Sequence, residues 1–418
     1  MIRLLTSRSA ILSLAAALAV VAGCARGSQA VIPQAGTSPA EESASRANSS
    51  LWSVVASPNV PPGSSGVYDD RLYGVSGSSS TDVWAVGDNC CYPHGSQEYY
   101  HALFEHWNGK KWGIVPYPAD EPADSYLNAV AAISPNDAWA VGNSVFPKAT
   151  LAEHWNGKKW SVVTTPYIAN GGILEAIHAI SHNDVWAGGV GNNGAILEHW
   201  DGRSWSFVPG LTMGGLTVLN AIAASSSNNI SAVGEYFDPD PLVFAEHWNG
   251  SKWSSVAPYT SFFASAFNGI AQPSPTEAWG VGYEEPSEQH AVPQTMIAHW
   301  NGSEWTVMPS PNKEPRASYI LNNTLFAVAA RSGNDAWAVG YWTYYPGSGT
   351  TRSLFLRWDG NSWRIANGPP ALESSNNAAF NGLQAITRVG AHDFWAVGWQ
   401  AVPSQCCVHT LTVHTTRG

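Results

Sequence analysis

The chain has 418 residues, a formal net charge of −11 and 12% charged residues, about half the share usual in a soluble globular domain. No basic run occurs anywhere, which excludes the electrostatic footprint of a nucleic-acid-binding protein. Its 21 tryptophans and 39 glycines point instead to β-structure built on aromatic packing with polar turns.

In chain order, an export segment comes first. Arg3 and Arg8 precede an apolar run from Ala10 to Ala22, which is short for a membrane span and has the layout of a signal peptide. It ends in Val21-Ala-Gly-Cys24, small residues directly before the first cysteine, and this text resembles a bacterial lipobox. The resemblance implies cleavage after residues 1–23 and diacylation of the Cys24 sulfur, so that a lipid anchor holds the protein on the outer side of a cell membrane without spanning it. Residues 24–50 then form the lipidated cysteine and a Ser-, Ala-, Gln- and Pro-rich tether. Such a stretch buries too little apolar surface to offset its ordering entropy.

The remainder, residues 51–418, is repetitive. Trp84-Ala-Val-Gly87 recurs at Trp139, Trp186, Ser231, Trp279, Trp337 and Trp395, with spacings from 45 residues (186 to 231) to 58 (279 to 337). A period of this length made of short strands predicts an all-β fold, a β-propeller with one four-stranded antiparallel blade per repeat and seven blades. In the second copy, residues 127–133 read as a first strand and Ser134 to Asp137 as a turn. Residues 138–142 are a second strand, 151–155 a third and 159–163 a fourth, with Asn156-Gly157 as a two-residue type I′ hairpin turn. The last copy has no fourth strand, while Leu51-Trp-Ser-Val-Val55 carries fourth-strand text with no repeat of its own. Residues 51–56 therefore supply the outer strand of the seventh blade and close the ring, leaving no exposed edge.

The text Asp82-Val-Trp-Ala-Val-Gly87, followed by His106-Trp-Asn-Gly109, resembles the tandem propeller repeats of secreted bacterial proteins, including lipoproteins, and more distantly the kelch and tectonin classes. The resemblance covers nearly all of residues 51–418. It implies the fold and is silent on function, because propellers host enzymes, lectins and scaffolds alike.

The repeated polar residues are expected to be structural. His106, His154, His199, His247 and His299 each precede a third-strand Trp, and Glu105, Glu153, Glu198 and Glu246 precede four of them. Five copies spread around a ring cannot form one active site. Together with Ser134, Asp137 and Trp139, His154 resembles the hydrogen-bonded tetrad of WD-type blades, with Asp82, Asp184, Asp335 and Asp393 as equivalents of Asp137.

Two vicinal cysteine pairs, Cys90-Cys91 and Cys406-Cys407, sit in equivalent loops of the first and seventh blades. In an exported protein they are disulfide candidates, either across the ring-closure seam or each closing on itself. A zinc or copper site using His94 and His409 is the alternative, disfavoured because adjacent cysteines lack the spacing for sharing one tetrahedral ion.

The turns of one face are short and uniform, whereas the loops of the other are long, unequal and aromatic. Tyr92, Tyr99, Tyr100, Tyr236, Tyr283, Tyr341, Trp342, Tyr344 and Tyr345 are the candidate ligand-binding residues. Asp238, Asp240, Glu284, Glu285 and Glu288 are the acidic side chains that would hold Ca²⁺ if any ion bound; no other cofactor is expected, and no catalytic set stands out. The expectation is a monomeric binding or scaffold module for an envelope glycan or protein partner. The alternative is a hydrolase or lyase acting on extracellular polysaccharide at the central opening.

Overall fold

A computed structural model describes residues 50–61, 66–93, 99–209, 216–238, 240–260, 262–287, 292–313, 321–344, 350–373, 380–402 and 407–415. They form strands in sets of four. Strand β1 (Ser53–Val55) comes first. Set one follows as β2 (Gly66–Ser79), β3 (Asp82–Pro93), β4 (Tyr99–Trp107) and β5 (Trp112–Val115). Set two is β6 (Ala123–Ser134), β7 (Asp137–Phe146), β8 (Ala149–Trp155) and β9 (Trp160–Val163). Set three is β10 (Gly172–Ser181), β11 (Asp184–Gly191), β12 (Gly194–Trp200) and β13 (Trp205–Phe207). Set four is β14 (Thr217–Ser226), β15 (Asn229–Phe237), β16 (Pro241–Trp248) and β17 (Trp253–Ser255). Set five is β18 (Ala264–Ser274), β19 (Glu277–Glu285), β20 (Gln294–Trp300) and β21 (Trp305–Met308). Set six is β22 (Leu321–Ser332), β23 (Asp335–Tyr344), β24 (Thr350–Trp358) and β25 (Trp363–Ile365), followed by a helical turn α1 (Pro370–Glu373). The last set has β26 (Phe380–Arg388), β27 (Phe394–Val402) and β28 (Cys407–Thr415).

Sets two to five are separate four-stranded antiparallel sheets. The other twelve strands count as one sheet, but its three parts are joined only by single parallel pairs, Thr351 with Phe380 and Asp69 with Val408. Strand β1 pairs antiparallel with β28, Ser53 opposite His414 and Val55 opposite Thr412. It therefore occupies the fourth-strand place of the last set.

The repeated glycine has a steric cause. A Cβ on Gly142 would lie 1.8 Å from the Tyr126 carbonyl oxygen, and one on Gly87, Gly189, Gly234 or Gly282 would lie 1.9 Å from the corresponding carbonyl. At each of these points the first strand carries a bulge, as between Leu127 and Ala129, which presses its backbone against the second strand. The repeated Trp fills the space between neighbouring sets. Trp139 meets Trp205 of the next set edge-to-face at 5.3 Å between centroids, and Trp84 meets Trp160 at 5.0 Å. Trp52, directly before β1, meets Trp337 of set six in the same way, at 5.3 Å and 87°. In packing as well as pairing, β1 behaves as a fourth strand of the last set.

Two details differ from expectation. The Asn-Gly turn is not a two-residue type I′ turn, because Trp155 pairs with Trp160 and only Gly157 has positive φ. Asn156 instead accepts from the Lys158 and Lys159 amides through Oδ1, so its own side chain builds a four-residue connection. The second strands also run well beyond the Gly. Tyr341 to Tyr344 stay paired with Thr350 to Ser353, because aromatic and β-branched residues on both sides continue the ladder.

The first strands of all seven sets meet around one central cavity of about 150 Å³. Its walls include the bulge residues Tyr73, Asn128, Glu175, Asn220, Asn268, Phe326 and Gln384. Asn128, Asn220 and Asn268 each donate an Nδ2–H to a carbonyl of the next set, at 3.0, 2.9 and 2.9 Å from Leu174, Phe267 and Leu325. These bonds tie neighbouring first strands together near the axis.

Candidate functional site

At the long-loop end of set six, the fourth strand β25 is far shorter than the third strand β24, so β24 projects past its cover. A cavity of about 310 Å³ opens there. Trp342 of β23 and Arg352 of β24 stand directly opposite each other in register and form one wall. Lys313 enters from the preceding linker, Glu373 from α1, and Asn381 from β26.

The shell around them is ordered by hydrogen bonds. Asn381 Oδ1 accepts from the Ser353 amide at 2.9 Å and from its hydroxyl at 2.7 Å, capping an amide that no fourth strand reaches. Arg352 donates Nη1–H to the Leu372 carbonyl at 2.8 Å, and Glu373 accepts from the Gly368 amide at 3.1 Å. Trp342, Arg352 and Lys313 are half-buried and Glu373 is exposed. The pocket therefore combines an aromatic wall, two cations, one carboxylate and an amide. Among its described residues the pocket contains no nucleophile paired with a base.

The structure disperses the other expected ligand residues. Tyr341 lies on a strand and is 7% exposed, packed with Phe326 and Tyr73 over the central cavity. Tyr236 is half-buried against the set-four core, and the Tyr283 hydroxyl points to Glu235 Oε2 at 3.5 Å. Burial raises the Glu235 carboxyl to about 7 and pushes the Tyr283 phenol well up. Tyr100 packs tilted against Tyr126, with ring centroids 4.6 Å apart. Tyr92, Tyr99 and Tyr344 have strand backbones, but their side chains, like all of Tyr345, lie outside the described residues. Of the expected residues with described side chains, Trp342 alone lines the cavity. Among the described residues the aromatic rings most open to solvent are Tyr259 at 92% and Tyr167 at 87%, on linkers after fourth strands. Sequence reading passed over them because they are single tyrosines outside the aromatic clusters. The signal for the cavity itself was the pair Lys313 and Arg352, cations outside the repeat text.

Among the described residues no three His, Cys, Asp or Glu side chains converge to hold a metal ion; Glu288 lies outside them. Cys24, Cys406 and His94 also lie outside the described residues, as does the Cys91 side chain. Cys90 is buried on β3 and Cys407 half-buried at the start of β28, with β2 between them. No disulfide joins these two. Two strand spacings, about 10 Å, exceed the roughly 7 Å that a disulfide spans between Cα atoms.

No family model matches the chain, and no curated protein sequence matches it. Solved structures do. The chain is similar to "YCF48 bound to D1 peptide" at 15% identity and a TM-score of 0.53, over 88% of this chain and 97% of that one. It is similar to YCF48 from Cyanidioschyzon merolae at 15% identity and a TM-score of 0.50, over 87% and 98%. It is also similar to U3-55K at 10% identity and a TM-score of 0.50, again over 87% and 98%. The fold is that of a β-propeller.

With the sets read as blades, the repeated histidines fall into place. His106, His154, His199 and His414 each meet an Asp of the second strand, Asp82, Asp137, Asp184 and Asp393, at 2.7 to 2.8 Å; His299 meets Glu277 at 2.6 Å. Each of these rings also lies against the blade's own second-strand Trp, as His154 does on Trp139 at 4.5 Å. The tetrad expectation is corrected in two places. The Ser134 hydroxyl accepts from the Asn136 amide, closing the turn, and Arg357 stands where blade six would need its histidine, lying over Trp337 at 5.4 Å. In blade four His247 meets Ser231 at 3.3 Å.

The glutamates before these histidines are fully buried, which the sequence did not announce. Burial raises Glu105 and Glu198 to about 8 and also pushes Glu153 well up, with Glu121 and Asp120 adding repulsion there. At the central opening, Tyr73, Phe326 and Tyr341 pack across the axis, and Arg71 is held by Asp69 at 3.1 Å. Burial also lifts the neighbouring Asp88 carboxyl to about 6.

Proposed function

We propose that this protein is an exported, lipid-anchored binding module. Its seven blades form a ring closed by β1, and the long-loop face recognises an envelope glycan or a protein partner. The cavity around Trp342 is the observation that carries this reading. It is a built pocket on the variable face of a scaffold whose repeated polar residues are consumed by blade-internal pairs. One propeller of this fold is described as bound to a peptide, so a protein partner lies within the range of the architecture. The lipobox text at Cys24 and the polar tether support display at a membrane surface.

The test is binding of the full chain to a panel of glycans and envelope fractions, beside Trp342→Ala. Retention of binding by the wild type and its loss in a folded Trp342→Ala protein is the expected result. Equal binding by both proteins would move the function off this cavity. In parallel, Cys24→Ser should shift the protein from the membrane to the soluble fraction, and an unchanged membrane fraction would remove the anchor.

A further inference from the structure

Resting on that reading, we infer that the Trp342 cavity takes an acidic sugar, a saccharide unit bearing a carboxylate. Three features of the pocket converge on this chemistry. First, it gathers two cations in a protein of low charge, and among the described residues neither Lys313 nor Arg352 has an ion-pair partner. Arg352 spends one N–H on the Leu372 carbonyl, and the guanidinium has five N–H donors in a planar fork that suits a carboxylate.

Second, Trp342 lies opposite Arg352 in the ladder, so a ligand carboxylate on the guanidinium places the rest of that ligand against the indole. A sugar ring presents an apolar C–H face of matching size. Third, Glu373 shares the cavity with the two cations. A carboxylate there repels a phosphate or a second carboxylate but accepts hydroxyl hydrogen bonds, so it selects a polyol carrying one negative charge over a compact polyanion. The volume of about 310 Å³ suits one or two sugar units and is small for an extended peptide. With a net charge of −11 the molecule does not draw polyanions by its overall field, so the preference must come from these short-range contacts.

The test uses calorimetric titration of the full chain with galacturonate, neutral galactose and a poly-glutamate peptide. Wild type should bind galacturonate at least about tenfold more tightly than the neutral sugar, since a charge-assisted pair is lost with the latter. Arg352→Gln and Lys313→Gln should each abolish that preference, with thermal unfolding unchanged in Lys313→Gln, and raised salt should erode it. Among the described residues Lys313 is hydrogen-bonded only through its backbone, to Asn323, so Lys313→Gln covers the case in which Arg352→Gln fails to fold. Trp342→Ala should weaken acidic and neutral sugars alike. Equal binding of acidic and neutral sugars would overturn the inference, and so would tighter binding of poly-glutamate. If no sugar binds while envelope fractions still do, the acidic-sugar inference fails and the binding-module reading stands; if nothing binds, both fail.

Discussion

At the scale of single residues, the repeat spends its polar side chains on structure in two opposite electrostatic ways. Burial works against the Asp82 and Asp184 carboxylates, yet hydrogen bonds from His106 and Ser78, or from Ser227 and His199, outweigh it and hold them below the usual range. Stability from those groups is present above the unfolded carboxylate range and lost as pH falls through their depressed values. Glu105 and Glu198 are the reverse. With folded values near 8, above the unfolded value of 4.5, their contribution is complete below pH 4.5 and lost as pH rises through about 8. Both trends together place maximum stability at mildly acidic pH. The thermal midpoint should therefore be higher at pH 5–6 than at pH 9. Glu198→Gln should flatten the alkaline side of that curve, because the amide has no proton to lose. A Glu198→Gln protein with the wild-type alkaline decline would show that this carboxyl stays charged in the fold.

At the scale of elements, strand β1 decides whether the last blade is complete. Trp52 is 2% exposed and joins Trp337, Phe355, Leu383 and Phe394 in one core cluster. Removing its ring with Trp52→Ala should cost about 3–5 kcal/mol, the range for a buried aromatic truncation. The loss should appear in denaturant unfolding, and a loss below about 1 kcal/mol would mean that the strand is only laid on the sheet. This element was legible in the sequence because Leu51 to Val55 repeats fourth-strand text without a repeat of its own. The repeated strand sets, the Gly and Trp positions and the Asp partners of His106, His154 and His199 were legible for the same reason, since recurrence separates structural residues from others. The aromatic loops were not. A run such as Tyr341-Trp342-Thr343-Tyr344 has loop text by its place in the repeat, yet pairing with β24 keeps it a strand and its alternation sends Tyr341 inward and Trp342 toward the cavity. That alternation depends on a ladder whose length the sequence does not mark. The repeated glutamates were visible in the sequence but their full burial was not, because a charged residue beside a charged partner looks the same in text whether it faces solvent or the next blade.

At the scale of the whole molecule, one face is held uniform by short Asx-capped connections and the other varies. Asn108, Asn156, Asn249 and Asn301 each cap their own connection through Oδ1, and Asp201 and Asp359 do the same. Aromatic rings and the Asn ties between first strands narrow the axis to a cavity of about 150 Å³, smaller than the pocket around Trp342, so the proposed recognition is placed at the rim and not at the centre. Backbone hydrogen exchange of the full chain, with and without the envelope fraction that it binds, tests this claim most directly. The account predicts slowed exchange confined to residues 342–344, 350–353 and 366–373, the strands and helical turn around Trp342. Slowed exchange at the Asn-Gly connections, with those segments unchanged, would contradict it and put the working surface on the opposite face.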